Sequence, residues 1–252
     1  MPMPDPTAHA PHPGIVREQR ARSDDDSARP DVDDAGQQRD PLEGDRRLPE
    51  HFGAAWGAVQ GFHAMLVDEG IRRGLVGPRE VARLWERHLL NSAAAVPFLP
   101  DEGRIVDLGS GAGLPGIVVA AMRPQAEVVL LEPMERRTDW LTEVAVNLGL
   151  ANVVVMRGRA EEVRGRLAAQ AVTARAVAPL HRLYGWALPL LEQGGVMIAL
   201  KGGRAADEVA AAAHAGRRLG GGVAQVLEAE TMPGLEATTV VRVVREVVRG
   251  VR

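Results

Sequence analysis

The stretch "IVDLGSGAGLPGI", residues 105–117, sets Asp107 two positions before a turn that carries Gly109, Gly111, Gly113 and Gly116, with Pro115 directly before the last glycine. Glycines at this spacing leave main-chain amides bare, so a ligand can approach the backbone closely. Gly111, Gly113 and Gly116 by themselves satisfy G-x-G-x-x-G, and Glu132 follows Gly113 by 19 residues, as a dinucleotide site also requires. No G-K-[ST] follows, which excludes a nucleoside-triphosphate P-loop. Asp107 brings a carboxylate to the strand end, where it can organise the loop amides or receive a cationic amino group; a pyrophosphate would be repelled there. Pro115 withdraws one amide donor from the place where a dinucleotide phosphate would need it. These details favour a cationic sulfonium ligand, S-adenosylmethionine, over a dinucleotide.

Further candidates follow along the chain. Glu132 closes "VVLLE", where its carboxylate can accept hydrogen bonds from both ribose hydroxyls or cap a helix. In "RGRAEEV", Ala160 and Glu161 can line an adenine pocket, although Glu161 is equally suited to complementing a helix dipole. Arg136, Arg137, Arg159 and Arg175 fall at or beyond strand ends, on one rim, where guanidinium groups can position phosphates or bases. Arg137 and Arg182 read as a solvated arginine face, whereas Arg175 stands inside an otherwise apolar run, "TARAV". Lys201 is the only lysine of the chain and ends a strand before "GG", as a functional group or as a strand cap. His88 lies on the apolar face of a helix, either as a satisfied core histidine or as an RNA contact.

The elements that must hold these residues are legible from periodicity. Phe52, Trp56, Val59, Phe62 and Leu66 recur at helical steps, and Gly77-Pro78 restarts a second helix, "PREVARLWERHLLNSAAAV", with an apolar face through Val81, Leu84, Trp85, His88 and Leu89. From Asp101 the β-rich runs "RIVDLG", "EVVLLE", "NVVVMR", "AVTARAV" and "GVMIALKG" alternate with stretches long enough for crossover helices. "GGVAQVLEAE" and "ATTVVRVVREVV" follow with no helix between them, which predicts a terminal antiparallel pair. The expected fold is α/β: a Rossmann-like class I methyltransferase with a seven-stranded, mostly parallel sheet, a C-terminal antiparallel hairpin and an N-terminal helical cap. The expected domains are a disordered acidic tail over 1–46, the cap over 47–100 and the methyltransferase domain over 101–252.

Composition narrows the chemistry. The 252 residues contain no cysteine, which excludes disulfides, thiolate metal sites and cysteine nucleophiles and fits a reducing cytoplasm. No targeting segment or apolar run of membrane-spanning length is expected. Residues 1–46 carry 11 acidic and 6 basic side chains and the remainder 22 and 24, so a net charge of −3 conceals a tail of −5 and a body of +2. An RNA-binding surface must then be a local arginine cluster. With three Phe and one Tyr, extensive aromatic base stacking is not expected, and RNA binding should be electrostatic and salt-sensitive.

"RLWERHLLNS", "IVDLGSGAGLPGI", "TARAVAPL" and "IALKGG" resemble, in order and spacing, the bacterial 16S ribosomal RNA guanine-N7 methyltransferase family RsmG, also called GidB. The resemblance covers roughly residues 48–245. It implies methyl transfer from S-adenosylmethionine to N7 of a guanine in the 530 loop of 16S RNA, with 16S RNA or a small-subunit (30S) precursor as partner. It also implies cofactor contacts at Gly109, Leu114, Ala160, Glu161 and Arg175, to which the residue reading adds Gly111 and Glu132. Arg136 and Lys201 are the expected catalytic residues, and His88 and Arg159 the expected substrate contacts. No metal, no membrane association and a monomer are expected. The composition agrees with a ring-nitrogen target: methylation at pyrimidine carbon five would need a cysteine, and the Asp/Asn-Pro-Pro-aromatic turn that serves exocyclic amines is replaced by "ARAVAPL". A methyltransferase acting on a small molecule or protein, and an NAD-dependent oxidoreductase, are the alternatives.

Overall fold

The computed structural model describes residues 39–246. The β-branched runs pair into one sheet of β1 Gly103–Leu108, β2 Ala126–Glu132, β3 Val153–Arg157, β4 Ala169–Arg175, β5 Leu191–Lys201, β6 Gln225–Ala229 and β7 Thr238–Val244, in the order β3-β2-β1-β4-β5-β7-β6. The first five strands are parallel; β7 runs antiparallel to both β5 and β6, the hairpin that the missing helix predicted. The inner strands are apolar almost without alternation because both faces are covered.

The helices are α1 Arg47–Phe52, α2 Trp56–Glu69, α3 Pro78–Val81, α4 Asn91–Ala93, α5 Gly116–Met122, α6 Glu135–Asn147, α7 Leu180–Ala187 and α8 Ala205–Arg218. Ile105, Leu130 and Ile198 face a core shared with α2, α5 and α6, in which Phe62, Leu66 and Trp140 are buried. Val106, Val129, Val172 and Val241 face the opposite core, against Leu183 and Tyr184 of α7. Period-two alternation along each strand thus feeds two separate apolar layers.

Three features differ from the sequence pattern. The helix expected over residues 78–96 is broken: α3 is followed by a π-helical segment, Trp85–Leu90, and then by α4. The wider turn suits the apolar spacing here, because Leu84, Leu89, Trp85 and Leu90 form two pairs five residues apart and all four are buried. No helix crosses from β3 to β4; residues 158–168 form turns that still bury Val163 and Leu167. Lastly, the acidic segment expected to be disordered through residue 46 joins the fold earlier. Asp40 accepts hydrogen bonds from the amides of Leu42 (3.0 Å) and Trp85 (2.9 Å), Glu43 accepts one from Trp85 Nε1 (3.1 Å), and Leu42 is buried. These carboxylates satisfy donors of the cap and are not solvated tail. Residues 1–38 of that segment, and 247–252, lie outside the described residues. Among the described residues no helix is long and apolar enough to cross a membrane.

Candidate active site

The chain leaves β1 at Leu108 and turns through Gly109, whose amide donates to Leu131 O of β2 (2.8 Å). Gly109 has φ +71, which favours glycine, and a Cβ there would press on Val177 at 3.0 Å. Gly116 opens α5 so close to the sheet that a Cβ would overlap Leu130 and Asp107. Its amide donates to Asp107 Oδ2 (3.1 Å). Asp107 is fully buried beneath the loop, and burial pushes its carboxyl up to about 7 against the lowering effects of Ser110, Gly116 and Arg175. Of its two expected roles the structure displays loop organisation: the side chain does not border the cavity described next.

Glu132, at the end of β2, is 2% exposed. It accepts the Gly111 amide at Oε2 (2.9 Å) and the Met134 amide at Oε1 (3.0 Å), and Arg137 Nη1 stands 3.9 Å from Oε2. A carboxylate offers about four lone-pair sites. Two backbone donors therefore fix Glu132 and leave it able to accept two more hydrogen bonds.

Around this carboxylate lies a cavity of about 320 Å³ at the carboxyl ends of β1 to β4. Leu108, Gly109 and Leu131 line it, as do Glu132, Pro133, Met134 and Arg137 around the end of β2. Arg159, Ala160, Glu161 and Trp186 also line it, with Arg175 and Val177 from the end of β4 and the loop after it. Trp186 Nε1 donates to Glu161 Oε1 (2.5 Å), which joins α7 to the turn after β3. Directly after Arg175, Ala176, which also lines the cavity, adopts φ +55, a costly conformation for a residue with a Cβ. A depression at the other end of the sheet, beside Gly103, is lined by groups that already pair with one another, Arg104 with Glu127 and Gln170 with Glu192. Ligands of open α/β sheets bind at the carboxyl ends of the strands, where the Glu132 cavity is.

The expected site residues separate in space. Gly109, Glu132, Arg159, Ala160, Glu161 and Arg175 border the one cavity, and Gly111 is tied to it through Glu132. Leu114 is buried in the core shared with the cap and does not line it. Arg136 is exposed and also outside the lining. Successive helical residues diverge by about 100°, and it is Arg137, read from sequence as solvated, that turns inward. Its Nε is buried without a partner. Lys201 Nζ is occupied by Ala178 O (2.9 Å) and Glu208 Oε2 (2.8 Å), which ties the end of β5 to α8 and to the loop before α7. His88, an expected substrate contact, lies between Glu80 and Arg175 and not on the open surface. Its side chain is 13% exposed, and its two ring nitrogens face Glu80 (2.8 Å) and Arg175 (2.9 Å). Burial and the neighbouring Arg175 push it down to about 4. Trp186 escaped the sequence reading because nothing local marks it; only the packing of α7 brings it to Glu161. Arg137 carried a usable signal, being five residues beyond Glu132 in the first turn of the next helix.

A sheet of this order, with a glycine turn after β1 and an acidic residue ending β2 over a shared cavity, defines the class I methyltransferase fold. Two solved structures share it: a SAM-dependent O-methyltransferase from Thermotoga maritima (TM-score 0.50, 17% identity, 73% of this chain and 72% of that one) and a predicted O-methyltransferase from Agrobacterium tumefaciens (0.50, 21%, 64% and 82%). At that identity the likeness concerns the fold alone. A family model described as GidB, rRNA small subunit methyltransferase G, matches residues 57–232, and the chain belongs to this family. Among its relatives, the ribosomal RNA small subunit methyltransferase G of Thermobifida fusca is 52% identical over 194 residues, covering 77% of this chain and 82% of that protein. The protein of the same name from Bifidobacterium adolescentis is 43% identical over 236 residues, covering 81% and 95%. The chain is a methyltransferase of this family.

Proposed function

We propose that this chain transfers a methyl group from S-adenosylmethionine to N7 of a guanine in the 530 loop of 16S ribosomal RNA, within the small subunit or its precursor. The observation that carries the reading is the Glu132 carboxylate, held by two loop amides with acceptor capacity to spare, in a cavity bordered by arginines. That donor set fits S-adenosylmethionine. Glu132 would accept from the two ribose hydroxyls, Ala160, Glu161 and Trp186 would enclose the adenine, and Arg175 would meet the carboxylate of the amino-acid portion. The volume is within the range of small-molecule sites. When bound, S-adenosylmethionine supplies an electrophilic methyl group on a cationic sulfur.

Guanine N7 presents a lone pair without losing a proton, so no general base is required. The residues act by orientation, and holding two reactants in near-attack geometry contributes several kcal/mol. Arg159 and exposed Arg136 contact RNA phosphates near the mouth, where an arginine aimed at N7 itself would compete with attack. Lys201 acts as a strut that fixes the loop after β4. Thr173 Oγ1 and Asp107 Oδ1 are buried without partners on adjacent strands in register.

The test is incubation with labelled S-adenosylmethionine and small subunits lacking the modification, followed by mapping of the labelled base. A single N7-methylguanine in the 530 loop is expected. Label confined to a metabolite or a protein would overturn the RNA assignment.

A further inference from the structure

Arg175 leaves β4 beside the cavity, and the cap takes hold of it. Its Nη1 donates to Arg87 O (3.0 Å) and its Nη2 meets His88 Nδ1 (2.9 Å), while His88 Nε2 lies 2.8 Å from Glu80 Oε2. A guanidinium has donors only. His88 Nδ1 must therefore be the bare, accepting nitrogen, and the single ring proton sits on Nε2 and is donated to Glu80. Three side chains thus form a directed chain in which the carboxylate fixes the tautomer and the imidazole fixes the arginine.

The charge pattern of this chain points to its use. Among the described residues no carboxylate lies within 4.0 Å of the Arg175 guanidinium; the two groups that grip it are a neutral carbonyl and a neutral imidazole. Arg175 is half-buried, and cations withdrawn from water are commonly paired directly with an acid. Here the acids that act on it stand further off, Asp107 beneath the glycine loop and Glu80 one imidazole away, so the cation is oriented without a direct ion pair. The π-helical turn places Arg87 O and His88 side by side for this grip, and Ser92 Oγ, donating to His88 O (2.6 Å), holds the turn in place. Asn91 Nδ2 fastens the next residues to Thr238 Oγ1 of β7 (2.8 Å).

We propose that Glu80 and His88 are positioning residues of the methyl-donor site: from the cap they aim Arg175, with its charge intact, at the carboxylate of the donor's amino-acid portion. This rests on the reading of the cavity as the S-adenosylmethionine site. It gives the cap a part in donor binding, and it gives His88 a role exercised through Arg175 and not through RNA.

The experiment compares His88→Leu, His88→Asn and His88→Gln in the full chain by calorimetry with two ligands. S-adenosylhomocysteine carries the amino-acid carboxylate, and 5′-methylthioadenosine lacks it. Asparagine places its amide oxygen as many bonds from the backbone as Nδ1; glutamine places it one bond further, and leucine fills space without an acceptor. For His88→Leu, S-adenosylhomocysteine affinity should fall about tenfold while that of 5′-methylthioadenosine holds. His88→Asn should stay within about threefold of the parent for both ligands, and His88→Gln should resemble the leucine variant. Glu80→Leu should weaken S-adenosylhomocysteine alone, by about threefold. Parallel loss of both ligands in His88→Leu would reveal a packing role and overturn the proposal. So would equal loss in the Asn and Leu variants, or an effect confined to the KM for the small subunit, which would assign Arg175 to an RNA phosphate. Failure of the unaltered protein to bind either ligand would instead remove the donor-site reading on which the proposal stands.

Discussion

Replacing Glu132 with glutamine changes one atom at the centre of the site and separates its two duties. The carboxylate receives the Gly111 amide on one oxygen and the Met134 amide on the other, and it is 2% exposed. Glutamine keeps one acceptor oxygen; its NH₂ must face the second amide, donor against donor. Loss of a charge-assisted hydrogen bond together with a stranded buried N–H costs about 2–3 kcal/mol. For a fold of this size that lowers Tm by about 4–12 °C. The ribose hydroxyls lose an acceptor in the same step, for which affinity should fall about 30-fold. With S-adenosylhomocysteine at about 100 times the parent Kd, the parent gains about 2.7 kcal/mol of apparent stability. At the same concentration the variant sits only about threefold above its Kd and gains about 0.8 kcal/mol. Thermal unfolding with and without the ligand, checked by calorimetry, reads both quantities. A glutamine variant that melts with the parent and shows the parent's ligand shift would refute the account of Glu132 given above.

Three other expectations follow from contacts away from that carboxylate. His88, pushed down from 6.5 to about 4, contributes about 3 kcal/mol that is complete above pH 6.5 and lost as pH falls through 4, whereas Asp107, pushed up from 3.8 to about 7, opposes it, its contribution of about 4 kcal/mol being complete below pH 3.8 and lost as pH rises through 7. Between pH 4 and 6.5 the two nearly cancel, so denaturant unfolding should show stability falling with pH in His88→Asn and rising with pH in Asp107→Asn; parallel slopes in the two variants would contradict the assignment. Lys201→Met should lose about 1–3 kcal/mol of stability in urea unfolding, because Ala178 O and Glu208 lose their shared donor, and Glu208→Gln should reproduce most of that loss. Trp186→Ala removes an aromatic wall of the cavity and the partner of Glu161, and by calorimetry it should weaken S-adenosylhomocysteine about tenfold.

The sequence by itself determined the sheet. Apolar runs of strand length, separated by helical or turn-rich stretches, fixed all seven strands, and the uninterrupted final pair fixed the antiparallel hairpin, because burial on both faces and backbone pairing leave few alternatives for such runs. The glycine turn and Glu132 were equally legible, since both lie at strand ends where the chain direction alone dictates position. Tertiary structure decided which long side chains reach the cavity. Arg136 and Arg137 are neighbours in sequence, and the rotation of α6 against β2 turns Arg137 inward and leaves Arg136 exposed. The continuous helix expected through His88 became a π-helical turn because five-residue spacing of Leu84, Trp85, Leu89 and Leu90 fits the core better than the 3.6-residue period of an α-helix. That same turn put His88 against Arg175, 87 residues away. A contact between two polar groups across such a separation leaves no periodic trace in the chain, because it is created by the packing of the cap on the sheet and not by either segment alone.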